Sequence, residues 1–251
     1  MDSSFYKEYY HLERGHWWFK ARLNIIFGHL DTIIGKRKDL KVLNVGPATG
    51  RTSELLEKYG EVISVEYDQD CYEFVKETLS INIIQGSVLE LPFEDNHFDL
   101  VCCFDVVEHV EDHVLAMQEL LRVCKPSGIL STTVPAYEFL WSHHDDINHH
   151  IRRYTLSEFT GLIKQNASIV FKTYFNFWLF PAIAGFRLAA KAINWKPQQK
   201  RDDAGTDNFV MAGPIFQKIF FAIFNSEQFF TNRKISLPFG LSILVTWRKN
   251  G

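Results

Sequence analysis

The run Lys41-Val-Leu-Asn-Val-Gly-Pro-Ala-Thr-Gly50 constrains this chain more than any other stretch. An apolar segment ends in a loop of small residues, and a helix-like segment, Arg51 to Tyr59, follows at once. Strand, tight loop and helix start, in that order, let a ligand approach backbone N–H groups. The same loop excludes two ligand classes. Dinucleotide fingerprints space their glycines as G-x-G-x-x-G/A, whereas Gly46, Ala48 and Gly50 run as G-x-A-x-G, and Arg51 stands where close helix–strand packing wants a small residue. A phosphate-cradling P-loop is ruled out because no Gly-Lys-Ser/Thr follows.

Sixteen residues after Gly50, Glu66 closes a second apolar run, Val62 to Val65. A carboxylate at the C-terminal tip of the next strand is placed to accept hydrogen bonds from the two hydroxyls of a ribose. A nucleoside with a non-phosphate tail fits both features. Next come Ile83-Ile-Gln-Gly-Ser87, a third short strand, then Leu89-Glu-Leu-Pro-Phe-Glu-Asp-Asn-His-Phe-Asp-Leu-Val-Cys-Cys-Phe-Asp-Val-Val-Glu-His-Val110, then Leu121-Arg-Val-Cys-Lys-Pro-Ser-Gly-Ile-Leu130.

In this order the residues resemble the class I S-adenosylmethionine-dependent methyltransferases, in the small-molecule branch that includes the quinone-biosynthesis enzymes. The similarity covers about residues 40 to 135. It implies an α/β, Rossmann-like sheet of seven strands in the order 3-2-1-4-5-7-6, the last strand antiparallel, flanked by helices. It also implies S-adenosylmethionine as cofactor, with its methionine end against Gly46, Pro47, Ala48 and Gly50, and Asn44 in the acidic position that precedes them. Glu66 would hold the ribose, Tyr67 would lie beside the adenine, and Ser87 with Val88 would meet the adenine edge. Phe104 and Asp105 would lie near the amino group and the reacting sulfonium. The chain departs from the family twice: Asn44 and Ser87 stand where Asp is usual, so neutral hydrogen bonding replaces two charged contacts.

A sulfonium methyl needs in-line attack, and holding two reactants in that geometry contributes up to roughly 7–11 kcal/mol. A base for the acceptor's proton is often needed as well, which directs attention to Trp141-Ser-His-His-Asp-Asp-Ile-Asn-His-His-Ile-Arg-Arg-Tyr154. The segment follows the expected fifth strand, Ile129 to Val134, on the ligand-binding rim of a parallel sheet. His150 is favoured as base, with His144 and Asp145 orienting it or the substrate, and His109 is its rival. Metal binding by these histidines and a purely structural polar loop remain open readings. No residue is assigned as a metal ligand. Asp145, His150 and Arg152-Arg153-Tyr154 also resemble a pattern in bacterial members of this branch, as does Glu13-Arg-Gly-His-Trp-Trp-Phe-Lys-Ala-Arg22. Tyr10, His16, Trp17 and Arg153 are the candidate substrate contacts.

At 251 residues, 46% of them hydrophobic, the chain can hold one large α/β domain. A net charge of −3, with Lys36-Arg-Lys38 as the longest basic run, argues against a nucleic-acid partner. Cys71, Cys102, Cys103 and Cys124 include no C-x-x-C pair, and the start of the chain shows neither a basic leader nor an apolar signal core. The reading is a reduced, cytoplasmic protein.

The single domain, 1–251, divides into four parts. Residues 1–39 are helical and aromatic and suit a lid, 40–174 form the cofactor-binding core, 175–236 a hydrophobic helical insertion, and 237–251 the terminal strand. Within the core, Leu156 to Gln165 reads as a helix and Ile169 to Tyr174 as the sixth strand. Thirteen of the 22 phenylalanines lie from Phe171 onward. The apolar run Phe177 to Phe186 is too short to span a bilayer. Ile215, Phe216, Ile219, Phe220 and Ile223 recur at helical spacing, and the polar stretch Gln198 to Asn208 separates the two. A helical cap or dimer interface, a cover for a lipophilic acceptor, and shallow contact with a membrane surface all fit the insertion. The function read from these features is methyl transfer to a small, hydrophobic or lipid-linked acceptor, with oxygen favoured and carbon or nitrogen left open as the acceptor atom. A scaffold that binds the cofactor without turnover is the alternative, and an NAD-dependent oxidoreductase the weaker one.

Overall fold

The computed structural model describes residues 3–192 and 213–251. The polar stretch Gln198 to Asn208 lies outside the described residues. Seven strands form one sheet in the order β3-β2-β1-β4-β5-β7-β6: β1 Leu40–Val45, β2 Gly60–Glu66, β3 Ile83–Gln85, β4 Phe98–Phe104, β5 Cys124–Pro135, β6 Ala167–Phe175 and β7 Ser242–Lys249. The first five run parallel, and β7 is antiparallel to both β5 and β6.

Parallel strands must be covered on both faces, so they read as nearly continuous apolar runs. The adjacent thiols Cys102 and Cys103 show the consequence: both are fully buried, one on each face. Cys103 joins Leu43, Val101, Leu120 and Trp247 beneath helix α5, His113–Val123. Cys102 joins Val42, Leu56 and Leu100 beneath helix α2, Trp17–Ile34.

Helix α1, Ser3–Gly15, runs ahead of α2 and is fastened over the C-terminal ends of the central strands. The Tyr6 hydroxyl donates to Asp68 at 2.7 Å, and Arg14 reaches Glu54 at 2.9 Å and the carbonyl of Thr49 at 3.3 Å. Glu54 belongs to α3, Arg51–Leu56, the helix that opens after the glycine loop; α4, Gln69–Thr78, precedes β3.

Three expectations shift in detail. Strand β5 begins at Cys124, five residues before the apolar run suggests. The helix expected over 156–165 is only α7, Leu156–Thr160: a reciprocal cap between Thr155 and Glu158 starts it, and the chain turns at Gly161. The histidine segment contains a helix of its own, α6, His143–Ile147, opened by a reciprocal cap between Ser142 and Asp145. The insertion is helical where described, with α8 Phe180–Ala192, α9 Pro214–Asn225 and α10 Gln228–Asn232; α9 and α10 pack on α2.

Candidate active site

The loop after β1 is held by its own backbone before any ligand arrives. Gly46 N–H donates to the Val65 carbonyl at 2.9 Å, and Gly50 N–H to that of Pro47 at 2.9 Å. Gly46, Ala48 and Gly50 all have positive φ, at 69°, 48° and 88°. A Cβ at Gly46 would come within 2.2 Å of Val106 Cγ2, and one at Gly50 within 2.5 Å of Leu79 Cδ1. The glycines therefore meet two demands, a left-handed backbone and close approach by a neighbouring strand's loop. Thr49 donates to the buried carboxylate of Glu13, which clamps α1 on the loop.

Glu66 sits at the tip of β2, 8% exposed. One carboxylate oxygen accepts from Tyr67 N at 2.9 Å and from Asp68 N at 3.0 Å. Burial raises its pKa, and these N–H groups pull part of the rise back. Two bonds leave lone pairs on the carboxylate, so it retains capacity for a diol. Tyr67 is 77% exposed, a free aromatic face next to that carboxylate. The donor set suits a nucleoside, and Glu66, Tyr67 and the loop backbone are the groups that could hold S-adenosylmethionine.

Other sequence-assigned positions turn inward. Asn44 is almost fully buried and donates to Thr52 at 2.8 Å and Ser53 at 2.9 Å, bracing α3 from below the loop. Its amide thereby supports the loop from the α3 side, while its Oδ1 has no hydrogen-bond partner. Val88 likewise packs its side chain in the core, and the Ser87 hydroxyl accepts from Leu89 N at 3.2 Å. Phe104 is buried at the end of β4. Asp105 follows with φ 55° and is ion-paired to Arg22, while Thr133 donates to its other oxygen at 2.9 Å.

Of the substrate candidates, Tyr10 lies under the Arg14 guanidinium, 3.6 Å from ring to carbon, and His16 caps α2 by accepting from Trp18 N. Trp17 is buried against Phe220 in the cluster that joins α9 to the sheet. Arg153 is buried too, bonding Asp145 at 2.7 Å and the Ala136 carbonyl at 2.7 Å. Trp17 thus packs and Arg153 pairs its charge within the fold. Sequence reasoning missed Tyr9, Glu13 and Arg22 as individuals, although the stretch that holds two of them was noted. Tyr9 lies close enough to Glu13, Arg22 and Asp105 to feel their charges, and burial first, then Glu13, raises its pKa.

The rim after β4 and β5 gathers the titratable groups. His150 Nδ1 lies 2.8 Å from Asp145 Oδ1, and Asp145 is wholly buried between His150 and Arg153. Burial opposes its ionisation, but the bonds from His150 and Arg153 and the guanidinium charge override that and hold the carboxyl well below its usual range. The His109 and His150 rings are 4.8 Å apart. Desolvation first, and then His150, pulls His109 down to about 4; solvent at its exposed edge screens part of this. His144 stands farther off, its ring 6.3 Å from that of His150. Glu108 is fully buried, both of its carboxylate oxygens lack a hydrogen-bond partner, and burial followed by the Asp105 charge pushes its pKa well up. Val106, which closes on Gly46, is two residues away, so the loop and the histidine rim adjoin.

Residues 43–132 match the methyltransferase domain family. The matched region runs from within β1 to within β5 of the sheet. A demethylmenaquinone methyltransferase of Staphylococcus aureus (strain MRSA252) is 31% identical over 123 residues, 43% of this chain and 51% of the relative. The chain thus spans about half the length of the curated relatives it matches. Two solved structures share the fold: a Galdieria sulphuraria protein described as a sarcosine dimethylglycine methyltransferase (TM-score 0.58, 19% identical, covering 91% of this chain and 86% of that one) and an S-adenosylmethionine-dependent methyltransferase from Aquifex aeolicus (TM-score 0.51, 14% identical, 69% and 93%).

Proposed function

We propose that this chain transfers a methyl group from S-adenosylmethionine to the oxygen of a small, hydrophobic or lipid-linked acceptor. The observation that carries the reading is the Asp145–His150 pair on the rim that adjoins the glycine loop. With Nδ1 turned to a buried carboxylate, Nε2 of His150 is the nitrogen left for an acceptor proton, the arrangement by which a carboxylate orients an imidazole base. The proton passes to Nε2, the acceptor oxygen attacks the methyl carbon, and the carbon–sulfur bond breaks to leave S-adenosylhomocysteine and a methyl ether. Glu66 and the loop backbone hold the donor, and α1 excludes water from above.

The relatives named for demethylmenaquinone support a small-molecule acceptor. Exposed Ile215, Phe216 and Ile219 on α9 and Phe186 on α8 support a lipophilic one. Among the described residues of the insertion the charged side chains are Arg187, Lys191, Lys218, Arg233, Lys234 and the fully buried Glu227, so the outward charge is positive. That combination suits shallow contact between this face and an anionic membrane from the cytoplasmic side. No helix among the described residues is long and apolar enough to cross a membrane.

The test is incubation of the protein with S-adenosylmethionine and a cell extract, following S-adenosylhomocysteine and searching for metabolites that gain one methyl mass. Cofactor binding without product would favour a scaffold over an enzyme. Co-sedimentation with anionic but not neutral vesicles, weakened by Phe216→Ser with Ile219→Ser, tests the membrane face.

A further inference from the structure

The basic run Lys36 to Lys38 takes no part in the rim chemistry, and the fold gives it neighbours that lie far off in the sequence. It follows the C-terminus of α2 and stands at the N-terminal ends of the strands. There a cavity of about 170 Å³ opens between Arg37, Asp99 of β4, the turn Lys125 to Gly128, and Arg248 of β7. Its floor is apolar: Leu40, Leu100 and Ile129, with Ile33 and Ile34 of α2. The length of β4, at about 3.3 Å per residue, puts it roughly 20 Å from Asp105 and the histidine rim.

Positive charge is in excess here. Of the residues that line the cavity, three are cations and one is a carboxylate, in a chain whose net charge is −3. Asp99 accepts from Lys125 Nζ at 2.8 Å and from Lys41 N at 3.0 Å; burial opposes its ionisation, but these bonds outweigh it and lower its pKa. Lys125 thus answers the one carboxylate, and two exposed guanidiniums keep donors to spare. Arg37 lies 3.9 Å from Asp99 and 3.3 Å from Asp39, and Arg248 reaches the Ser127 carbonyl at 3.4 Å. Planar N–H forks match carboxylate or phosphate oxygens, and an apolar floor favours a hydrocarbon body over water. A dry cavity of about 150 Å³ holds one benzene ring, so this one admits a single six-membered ring or a short aliphatic chain.

We infer that this cavity binds a small organic anion, a carboxylate or phosphate monoester, whose head lies between Arg37 and Arg248 and whose apolar body rests on Leu40, Leu100 and Ile129. It opens at the end of the sheet opposite the glycine loop, so its ligand is neither methyl donor nor methyl acceptor. The site stands whether or not the chain transfers methyl groups.

Phenyl phosphate and benzoate serve as probes, with inorganic phosphate supplying a head alone and neutral benzamide a body alone. In protein labelled at isoleucine methyl groups, either probe should shift the NMR signals of Ile33, Ile34 and Ile129 and leave that of Ile151, beside the histidine rim, in place. Calorimetry at low salt should give one site with a dissociation constant below about 1 mM. Inorganic phosphate and benzamide should each bind about tenfold more weakly or worse. Arg37→Gln and Arg248→Gln, at exposed positions, should each weaken phenyl phosphate about tenfold while circular dichroism and melting match the wild type. Arg233→Gln, an exposed cation on α10, should bind like the wild type. Shifts that miss Ile33, Ile34 and Ile129 would put the probe elsewhere and overturn the site. Equal affinity for inorganic phosphate would mean an adventitious ion only. No binding, or unchanged binding by both variants of the lining arginines, would leave the three cations as neutralisers of Asp99 and of the end of α2, and either result overturns the site as well.

Discussion

The rims proposed to hold donor and acceptor are built on opposite principles. On the donor side, after β1 and β2, the loop is made of small residues and its polar groups already have partners: Gly46 bonds Val65, Glu66 bonds two backbone N–H groups, and Glu13 bonds Thr49. On the acceptor side, after β4 and β5, Asp145 is buried between two bonding partners while Glu108 is buried with none. A ligand that is gripped through backbone and one carboxylate can be met by a preformed, satisfied frame. Chemistry that moves a proton needs charge held in reserve, and the proposed acceptor rim carries that cost.

The largest expected effect falls on the acceptor half. Asp145→Ala leaves the Arg153 guanidinium buried without its partner and should destabilise the fold by about 3–5 kcal/mol, read from urea denaturation. A loss below about 1 kcal/mol would mean that this half stores no more than the other. Next, His150→Ala should lower turnover on the order of a hundredfold or more while cofactor affinity stays nearly intact, since general bases contribute about 10²–10⁴. Single-turnover rates near normal with the true acceptor would remove His150 and leave His109, or simple proximity, in its place.

On the donor half, Glu66→Ala should weaken S-adenosylmethionine binding by roughly 1.5–3 kcal/mol, the scale of a hydrogen bond to a charged group, with turnover at saturation less affected. Calorimetry showing unchanged affinity in a folded variant would remove Glu66 from the site. The pH dependence has a definite sign. Burial raises the Glu66 pKa above its ordinary value, and the ribose hydroxyls prefer the ionised form. Affinity should therefore be full above that raised pKa and fall as pH drops through it, beginning above the ordinary carboxylate range; Glu66→Gln should flatten the dependence. The smallest effect is expected from Thr49→Ala, which frees Glu13 from the loop: about 0.5–1.5 kcal/mol in stability, by thermal denaturation. A larger loss of cofactor affinity than of stability would show that α1 acts as a lid over the donor.

Legibility in the sequence followed the same division. The loop after β1 and the tip of β2 could be placed because their parts are neighbours along the chain: the apolar run, the small-residue loop and the helix start lie within 41–59, and Glu66 ends the next strand. Asn44 was placed by resemblance at the family's acidic position, and only the fold shows that its amide goes to Thr52 and Ser53. In the proposed acceptor half the sequence offered four histidines and two aspartates in one segment without saying which were paired. Arg153 was named a candidate substrate contact, and only the fold shows that Asp145 draws it inside.

Local order came from the residues themselves. Apolar runs bounded by turn residues set the strands, small residues set the loop after β1, and the alternation of strand and helix set a parallel sheet, because backbone hydrogen bonding and side-chain periodicity act over a few residues. Only the tertiary structure decided that Glu13 meets Thr49 across 36 positions, that Arg22 meets Asp105 across 83, and that His109 lies against the loop of His149 across 40. Those pairings depend on how strands are ordered in the sheet and which helix crosses which strand end. No local pattern encodes that, and the unpartnered Glu108 becomes visible only once every neighbour has been placed.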